Sequence, residues 1–217
     1  MSRQLQNLLL LNELYRLESL GVEFIDPITI QHSVDDELPN DLNMLKELVS
    51  SCHLCNLSKS RNQSMFGYGS LSANIMFVDS VVSSASDEAN SYYAGKSAEI
   101  LQNMIEKVLG LSVEDVYFTT ALKCKCDVEN ANDYFDSCKA YLFKQIEIVK
   151  PKLVVALGED AYRLISADKS PLHTLRGRSI KFEKYDLIAT HHPLYLLRNP
   201  SKKRESMYDL QNIKSYI

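Results

Sequence analysis

Short apolar runs that alternate with helical segments constrain the fold of this chain more than any other feature. The runs cover residues 73–79, 116–122 and 152–158, and two strand-like segments follow at 179–184 and 186–191. Helical periodicity separates them at 97–109, 132–149 and 159–166, and it returns at 201–216. Strands without polar alternation are typical of a mostly parallel sheet that helices cover on both faces. The sequence therefore predicts an α/β fold, with functional residues just after Val78, Leu122, Leu157 and Thr190.

The first forty residues depart from this alternation. Residues 4–20 have the period of an amphipathic helix that ends at Gly21, and an acidic, irregular stretch follows. A second helix is predicted from an N-cap at Asn40 or Asp41 to about Ser50. We therefore expect a helical arm and linker over residues 1–40 and one domain over residues 41–217. No run reaches the roughly 18 apolar residues of a spanning helix, so we expect a cytoplasmic protein without a membrane partner.

Four of the five cysteines have a spacing that suggests a metal site. Cys52 and Cys55 form a CxxC pair, and Cys124 and Cys138 follow far along the chain. A close pair with distant partners favours metal over disulfides in a cytosolic protein, although buried structural cysteines are the alternative. Four thiolates suit either Zn²⁺ or a [4Fe–4S] cluster, and spacing alone does not separate the two. Cys126 is a spare thiol without an assigned role.

The charge of the chain is distributed unevenly. The formal net charge is −4, but residues 169–204 hold nine Lys and Arg against two acidic residues. A basic face on an acidic body is compatible with binding the phosphate backbone of DNA. An ordinary solvated surface is the alternative interpretation.

Motifs along the chain carry a resemblance to a known family. They are the Cys52-His-Leu-Cys55 segment with Arg61, the segments 66–79, 116–124, 138–142, 151–158 and 175–178, and His192-Pro-Leu-Tyr-Leu-Leu-Arg-Asn-Pro200. From about residue 43 to residue 217, the sequence resembles family 4 of the uracil-DNA glycosylase superfamily. The resemblance implies a three-layer α/β/α sandwich with a mostly parallel central sheet, a [4Fe–4S] cluster on Cys52, Cys55, Cys124 and Cys138, and removal of uracil from DNA.

The resemblance also implies roles for individual residues. A glycosylase flips the nucleotide out of the duplex, reads the base edge and stabilises the departing base. His192 matches the catalytic histidine, and Tyr93 stands where the family has a phenylalanine that stacks on the flipped uracil. The residues expected to contact DNA are Arg176, Leu196, Leu197, Arg198, Lys202 and Lys203, with the leucines as an apolar wedge. A turn histidine and a tyrosine that covers the sheet edge are the alternatives.

Two positions differ from the family pattern. The segment Asp79-Ser80-Val81-Val82-Ser83 replaces a Gly-Glu-Ala-Pro-Gly loop, so Asp79 becomes the candidate for the catalytic carboxylate. Two β-branched valines cannot follow a glycine-rich backbone path without cost. Thr120 replaces an asparagine that hydrogen-bonds the uracil edge. A hydroxyl is shorter than an amide and has one proton, so we expect altered base selection.

Three functional hypotheses follow from the sequence. The first is a glycosylase that acts on uracil or another deaminated base in single- or double-stranded DNA. The second is a catalytically impaired iron–sulfur module that still binds DNA through its basic C-terminal half. The third is a zinc-stabilised protein-interaction domain with residues 1–40 as a docking arm. In each case a monomer is the expected state.

Overall fold

The structure is a computed structural model that describes residues 12, 14–22, 38–92, 94–182 and 184–217. The chain divides into two compact units, residues 1–33 and residues 34–217. In the first unit, residues 14–19 are helical, as predicted for that part of the arm. The rest of the predicted helix before residue 12, together with residue 13, lies outside the described residues. All features below belong to the second unit.

A six-stranded sheet forms the centre of this unit. Its strands are β1 (Tyr68–Gly69), β2 (Ile75–Asp79), β3 (Tyr117–Thr120), β4 (Leu153–Leu157), β5 (Ser179–Lys181) and β6 (Asp186–Thr190). The spatial order is β1-β3-β2-β4-β6-β5. The four central strands are parallel, and the short edge strands β1 and β5 are antiparallel to their neighbours. The predicted mostly parallel sheet is therefore confirmed.

Eight α-helices accompany the sheet in the described part of this unit. They are α1 (Leu42–Ser50), α2 (Ser84–Ala89), α3 (Lys96–Asn103), α4 (Ala131–Val149), α5 (Gly158–Ser166), α6 (Leu172–Leu175), α7 (Pro193–Arg198) and α8 (Lys203–Ile213). A π-helical turn at Met104–Leu109 continues α3, and short 3-10 turns lie at Asn56–Lys59, Val128–Asn130, Pro200–Lys202 and Lys214–Tyr216. The predicted N-cap of α1 is Asp41, whose Oδ1 accepts from the Met44 N–H at 2.9 Å.

The side chains of the sheet alternate between two hydrophobic cores, which makes the domain a three-layer α/β/α sandwich. Met76, Val78 and Val154 face a core that α1, α4 and α5 cover. Ile75 and Phe77 face the opposite core, which holds residues of α3, α7 and α8. Burial on both faces explains why these strands are apolar along their whole length.

The strand order places a crevice between β2 and β4. From β2 the chain moves to β3 on one side and then crosses to β4 on the other side. In open parallel sheets, such a reversal leaves a crevice at the carboxyl ends of the strands, where ligands bind. Asp79 ends β2 and Gly158 follows β4, so both border this position. Within the described ranges, no helix has the length and apolar character that a membrane span requires.

Candidate active site

A cavity of about 550 Å³ opens at the carboxyl ends of the central strands. Residues at the carboxyl ends of the four central strands or just after them line it, namely residues 79–83, Thr120, residues 157–160 and residues 191–195. Its volume falls in the range that small ligands occupy in proteins, about 300–1,000 Å³. The sequence predicted functional residues at this edge of the sheet, and the cavity lies there.

Asp79 and His192 meet in this cavity although 113 residues separate them in sequence. Nε2 of His192 lies 3.0 Å from Oδ2 of Asp79. The other carboxylate oxygen of Asp79 accepts a hydrogen bond of 2.6 Å from the Ser80 N–H. The contact is partly shielded from water, since the two side chains are 30% and 20% exposed. We call the two side chains the His192–Asp79 dyad.

The start of helix α7 fixes the tautomer of His192. Nδ1 accepts a hydrogen bond of 3.0 Å from the Leu194 N–H, so His192 serves as the N-cap of this helix. Nδ1 is therefore unprotonated, and the ring proton of the neutral form lies on Nε2, directed at Asp79. Burial lowers the pKa of His192, but the charge and hydrogen bond of Asp79 outweigh it, so the pKa lies above its ordinary value. The imidazole is thus held with a proton facing the carboxylate.

Gly158 allows His192 to approach the sheet closely. Its φ is +91°, in the left-handed region, and a Cβ atom placed there would lie 3.0 Å from the His192 Cβ. Only glycine adopts this backbone without strain. The first residue of α5 therefore helps to set the position of the imidazole.

The neighbouring histidine, His191, belongs to a different environment. Its ring stacks on Tyr195 with centroids 5.0 Å apart, and its Nε2 lies 3.5 Å from Oε2 of Glu205. Burial lowers the pKa of His191 more strongly than Glu205 raises it. The pKa values of the two adjacent imidazoles are thus shifted in opposite directions. Of the two, only His192 contacts Asp79.

The predicted base-reading residue Thr120 lines the cavity at the end of β3. Its Cα is paired with that of Asp79 in the parallel register, and its side chain is buried. Tyr92 also lines the cavity, and its ring packs edge-on against Phe118 at a centroid distance of 5.0 Å. The predicted stacking residue Tyr93 lies outside the described residues.

Helix α7 carries the residues expected to form a wedge in DNA. Leu196 is 1% exposed and packs into the core beside α8, whereas Leu197 is exposed. Leu194 and Tyr195 are also exposed apolar side chains of this helix. Arg198 is exposed and lines the cavity. The surface that α7 offers a partner therefore consists of Leu194, Tyr195, Leu197 and Arg198.

Two of the cations expected to bind DNA form ion pairs within the protein. Arg176 donates to Oδ1 of Asp209 at 2.7 Å and pairs with Oε2 of Glu205 at 3.1 Å. Lys202 donates to Oε1 of Glu205 at 2.6 Å. Asp209 also accepts from the Thr190 hydroxyl at 2.9 Å, which ties α8 to β6. These contacts hold α8 against β6, while Lys203 is exposed on the same helix.

The five cysteines are free thiols. Cys124 and Cys138 are buried, and Cys52, Cys55 and Cys126 are partly exposed. Burial raises the pKa of Cys138 to about 11, although the nearby Lys123 acts in the opposite direction. Within the described ranges, no three His, Cys, Asp or Glu side chains lie close enough together to hold a metal ion as they stand.

Two cations hold the loops that carry these cysteines. Nη1 of Arg61 donates to Sγ of Cys124 at 3.0 Å, and its Nη2 donates to the Cys52 carbonyl at 3.0 Å. Lys123 is 1% exposed, and its Nζ donates to Thr119 Oγ1 at 2.7 Å and to the Thr120 carbonyl at 2.6 Å. Burial lowers the pKa of Lys123 to about 7. Thiol groups, one of which accepts from the Arg61 guanidinium, fit a group held by anionic thiolates.

Sequence reasoning missed Tyr92 as a residue of the site, and it indicated the position of Gly158 only as part of the segment after Leu157. Tyr92 stands beside Tyr93 in a turn without regular periodicity, so the sequence does not show which ring faces the cavity. Gly158 carried a signal, since a glycine between a buried strand and a helix is typical of close backbone approach.

Comparison with known proteins identifies the class. The model of the uracil DNA glycosylase superfamily matches residues 66–213, a span that holds all six strands and both members of the dyad. The chain belongs to this superfamily.

The curated relatives to which the chain is similar are type-4 uracil-DNA glycosylases. A type-4 uracil-DNA glycosylase of Sulfurisphaera tokodaii is 30% identical over 185 residues, which cover 81% of this chain and 84% of the relative. A type-4 uracil-DNA glycosylase of Thermotoga maritima is 29% identical over 182 residues, which cover 81% of this chain and 94% of the relative. One of Pyrobaculum aerophilum is 28% identical over 180 residues, 78% of this chain and 91% of the relative.

Proposed function

We propose that this protein is a DNA glycosylase that excises uracil as the first step of base excision repair. The observation that carries the proposal is the His192–Asp79 dyad, joined at 3.0 Å inside the cavity at the strand ends. The superfamily and the names of the type-4 relatives support the same reaction.

In the proposed reaction, the bond between C1′ of the deoxyribose and N1 of uracil breaks heterolytically. The electron pair moves to the base and is delocalised onto its carbonyl oxygens. Nε2 is the ring nitrogen of His192 that can donate to such an oxygen, because the Leu194 N–H occupies Nδ1. In the structure Nε2 contacts Oδ2 of Asp79, so the proposed step exchanges this contact for one to the base. A donor aimed at developing negative charge in a shielded site contributes about 2.7–4 kcal/mol in known enzymes.

Asp79 serves the sugar side of the same reaction. Its carboxylate lies beside the imidazole and stabilises the oxocarbenium-like sugar by charge. Water then attacks C1′, and Oδ2 of Asp79 accepts the proton that the water loses. The Ser80 N–H bound to Oδ1 keeps the Asp79 carboxylate oriented during this step.

The DNA-binding surface in this proposal is the exposed face of α7 with the basic residues near it. Arg198 and Lys203 are exposed and would contact phosphates, and Leu197 with Leu194 would fill the space that the flipped nucleotide leaves. Lys202 and Arg176 support this surface through their ion pairs with Glu205 and Asp209. Both single- and double-stranded DNA are proposed substrates, bound by a monomer.

Cys52, Cys55, Cys124 and Cys138 would hold a [4Fe–4S] cluster, with Zn²⁺ as the alternative. When bound, the cluster supplies a structural link and no step of the hydrolysis. Arg61 and Lys123 already tie the Cys52 and Cys124 loops together and to β3, which fits this role. Free thiols also suit a reducing compartment, so we propose that the protein acts in the cytoplasm.

A second candidate, a DNA-binding module with impaired catalysis, is favoured by the segment after β2. Val81 and Val82 are 9% and 1% exposed, and Val82 is bridged to Lys125, so this segment continues beside the chain after β3. This segment therefore has no glycine at which the backbone could come close to a base. In this alternative the dyad persists as a structural contact, and DNA binding continues without excision.

An excision assay separates the two candidates. Purified protein is incubated in excess with single- and double-stranded oligonucleotides that carry one uracil, and abasic sites are revealed by alkaline cleavage. We expect cleavage by the native protein and a loss of at least about a hundredfold in His192→Asn, which removes the imidazole while Asn retains an N-cap acceptor. Tyr208→Phe, on an exposed side chain of α8, is the control. Absence of cleavage by the native protein on both substrates would contradict the proposal and leave the DNA-binding module.

A further inference from the structure

Lys123 is a buried lysine whose amino group is surrounded by oxygen atoms. The residue is 1% exposed. Its Nζ contacts Oγ1 of Thr119 at 2.7 Å, the carbonyl oxygen of Thr120 at 2.6 Å and Oε1 of Gln145 at 2.5 Å. Thr119 and Gln145 are themselves buried. The charge state of this group therefore depends on what these three oxygens do.

The neighbours of these oxygens show that all three accept a proton from Nζ. The Thr120 oxygen is a carbonyl and can only accept. The amide of Gln145 is oriented by its Nε2, which donates to the Phe66 carbonyl at 2.8 Å and leaves Oε1 towards Nζ. The Thr119 hydroxyl donates its own proton to the Phe66 carbonyl at 2.7 Å, so its oxygen accepts from Nζ. A neutral amine has two protons, and three acceptors require the ammonium form.

No acidic side chain balances this charge in the part of the domain that the structure describes. The ion pairs found there do not include Lys123. Hydrogen bonds to neutral oxygens replace part of the lost hydration, but they supply no opposite charge. Because a buried cation is strongly disfavoured unless an anion lies near it, the position of Lys123 indicates an anionic group beside it.

The cysteine residues lie where this anion is needed. Cys124 follows Lys123 directly in the chain. Cys138 lies seven residues before Gln145 on α4, and therefore on the same face of that helix. Burial has the largest effect on the pKa of the Cys138 thiol, and the charge and the backbone N–H of Lys123 act against it. Four thiolates around a [4Fe–4S] or Zn²⁺ centre leave an excess of negative charge, which the ammonium would balance.

We propose that Lys123 is the buried counter-ion of the centre that Cys52, Cys55, Cys124 and Cys138 hold; this inference rests on the metal centre of the proposed function. Lys123 is a positioning residue, since it acts through the thiolates and not on the substrate. Arg61 donates to Cys124 from a partly exposed position, where water weakens its charge. The ammonium of Lys123 is enclosed, so its charge acts on the centre with little screening.

Two variants separate the charge of Lys123 from its hydrogen bonds. Lys123→Met has a linear side chain without a charge. Thr119→Val has nearly the same shape as the native side chain and removes one acceptor of Nζ, but it leaves the ammonium in place. If Lys123 serves only to bond its neighbours, both variants should affect the metal centre alike. If its charge is what matters, only Lys123→Met should do so.

The experiment measures how firmly the metal-loaded protein holds its centre. Native protein and both variants are purified without oxygen, and transfer of the metal to a chelator is followed, with Tm as the measure of folding. We expect Lys123→Met to lose metal at least about tenfold faster, because residues around metal ligands change affinity by about 10–100-fold. For bound iron we also expect a more negative reduction potential, since a lost positive charge disfavours the added electron. Thr119→Val should lower Tm and leave both other values as in the native protein.

A measurement on the native protein does not depend on how the variants fold. In the metal-loaded protein with isotope-labelled lysine, NMR counts the protons on Nζ of Lys123, assigned through its own backbone signals. We expect three protons at neutral pH. A neutral amine at Nζ would overturn the inference, because a group without charge is no counter-ion.

Two results with the variants would also overturn the inference. One is a native rate of metal loss in folded Lys123→Met. The other is an equal acceleration in Thr119→Val, which would assign the effect to the hydrogen bonds. A native protein that binds neither iron nor zinc removes the centre and this inference with it. Uracil excision by the native protein judges the glycosylase proposal separately, so excision together with an unaffected centre in Lys123→Met refutes only the role of Lys123.

Discussion

Replacement of Gly158 by alanine tests how the backbone sets the position of His192. The φ of +91° at Gly158 lies in the left-handed region, where an alanine costs about 1–2 kcal/mol. For a chain of this size, that cost corresponds to a fall in Tm of roughly 2–8 °C. The added Cβ would also lie 3.0 Å from the His192 Cβ, so the histidine must move by a few tenths of an ångström.

Gly110 offers a matched control for the strain at Gly158. It has a φ of +76°, and a Cβ placed there would have nothing within 4 Å. Gly110→Ala therefore introduces similar backbone strain without moving a side chain of the site. The difference between the two variants isolates the effect of displacing His192.

The assay combines thermal unfolding with single-turnover uracil excision for both variants. We expect both to lose a similar amount of stability, and only Gly158→Ala to lose excision rate, by about three- to tenfold, since misplacement by 1 Å can cost a hundredfold. An unchanged rate in Gly158→Ala would refute the reasoning. Equal rate losses in both variants would show that general destabilisation is the cause.

Three further measurements address the site and its surroundings. In NMR titrations we expect the pKa of His192 to lie above its usual value and the pKa of His191 to lie below it. The stabilisation from protonated His192 should be present below a pH of about 6.5 and be lost as the pH rises through its raised pKa. The reverse order of the two pKa values would contradict the assigned contacts. Arg198→Ala should weaken DNA binding and lower, by about one, the slope of log affinity against log salt concentration. Arg176→Ala should chiefly lower Tm, because Arg176 is bonded to Asp209. An unchanged slope in Arg198→Ala would show that Arg198 does not contact DNA. Cys138→Ala should abolish bound iron in metal analysis, and a zinc-containing, iron-free native protein would reject the cluster.

The sheet could be predicted from the sequence because its central strands are buried on both faces. The predicted runs at 73–79, 116–122 and 152–158 enclose the observed β2, β3 and β4, and no strand end differs by more than two residues. Apolar runs without interruption have few other stable arrangements in a chain with regular helical spacers. The same reasoning predicted that the site lies at the carboxyl edge of the sheet.

The shortest elements could not be predicted for reasons that differ between them. Helix α2 has the sequence SASDEA, which has no apolar period, and it depends on the Ser83 hydroxyl that accepts from the Ser86 N–H at 3.1 Å. Strand β1 contains two residues and exists only through its pairing with β3. The π-helical turn after α3 places one extra residue in a turn, which periodicity does not distinguish from an α-helix.

The residues of the site could be predicted from the sequence, but their positions relative to one another could not. Asp79 and His192 were both candidates from the sequence, but their 3.0 Å contact depends on β2 and β6 lying on either side of β4. The sequence did not show that Arg176 pairs within the protein, because its partner Asp209 lies 33 residues away on α8. Long-range contacts of this kind follow from the strand order, which local patterns do not contain.

A double-mutant cycle on the dyad tests the central claim most directly. Single-turnover rates of uracil release are measured for the native protein, for His192→Asn, for Asp79→Asn and for the double variant, with Tm as the measure of folding. Because the two side chains contact each other at 3.0 Å, the loss in the double variant should be smaller than the product of the two single losses. Losses that multiply fully across two folded single variants would show that the contact between the imidazole and the carboxylate contributes nothing to catalysis, and would contradict the central claim.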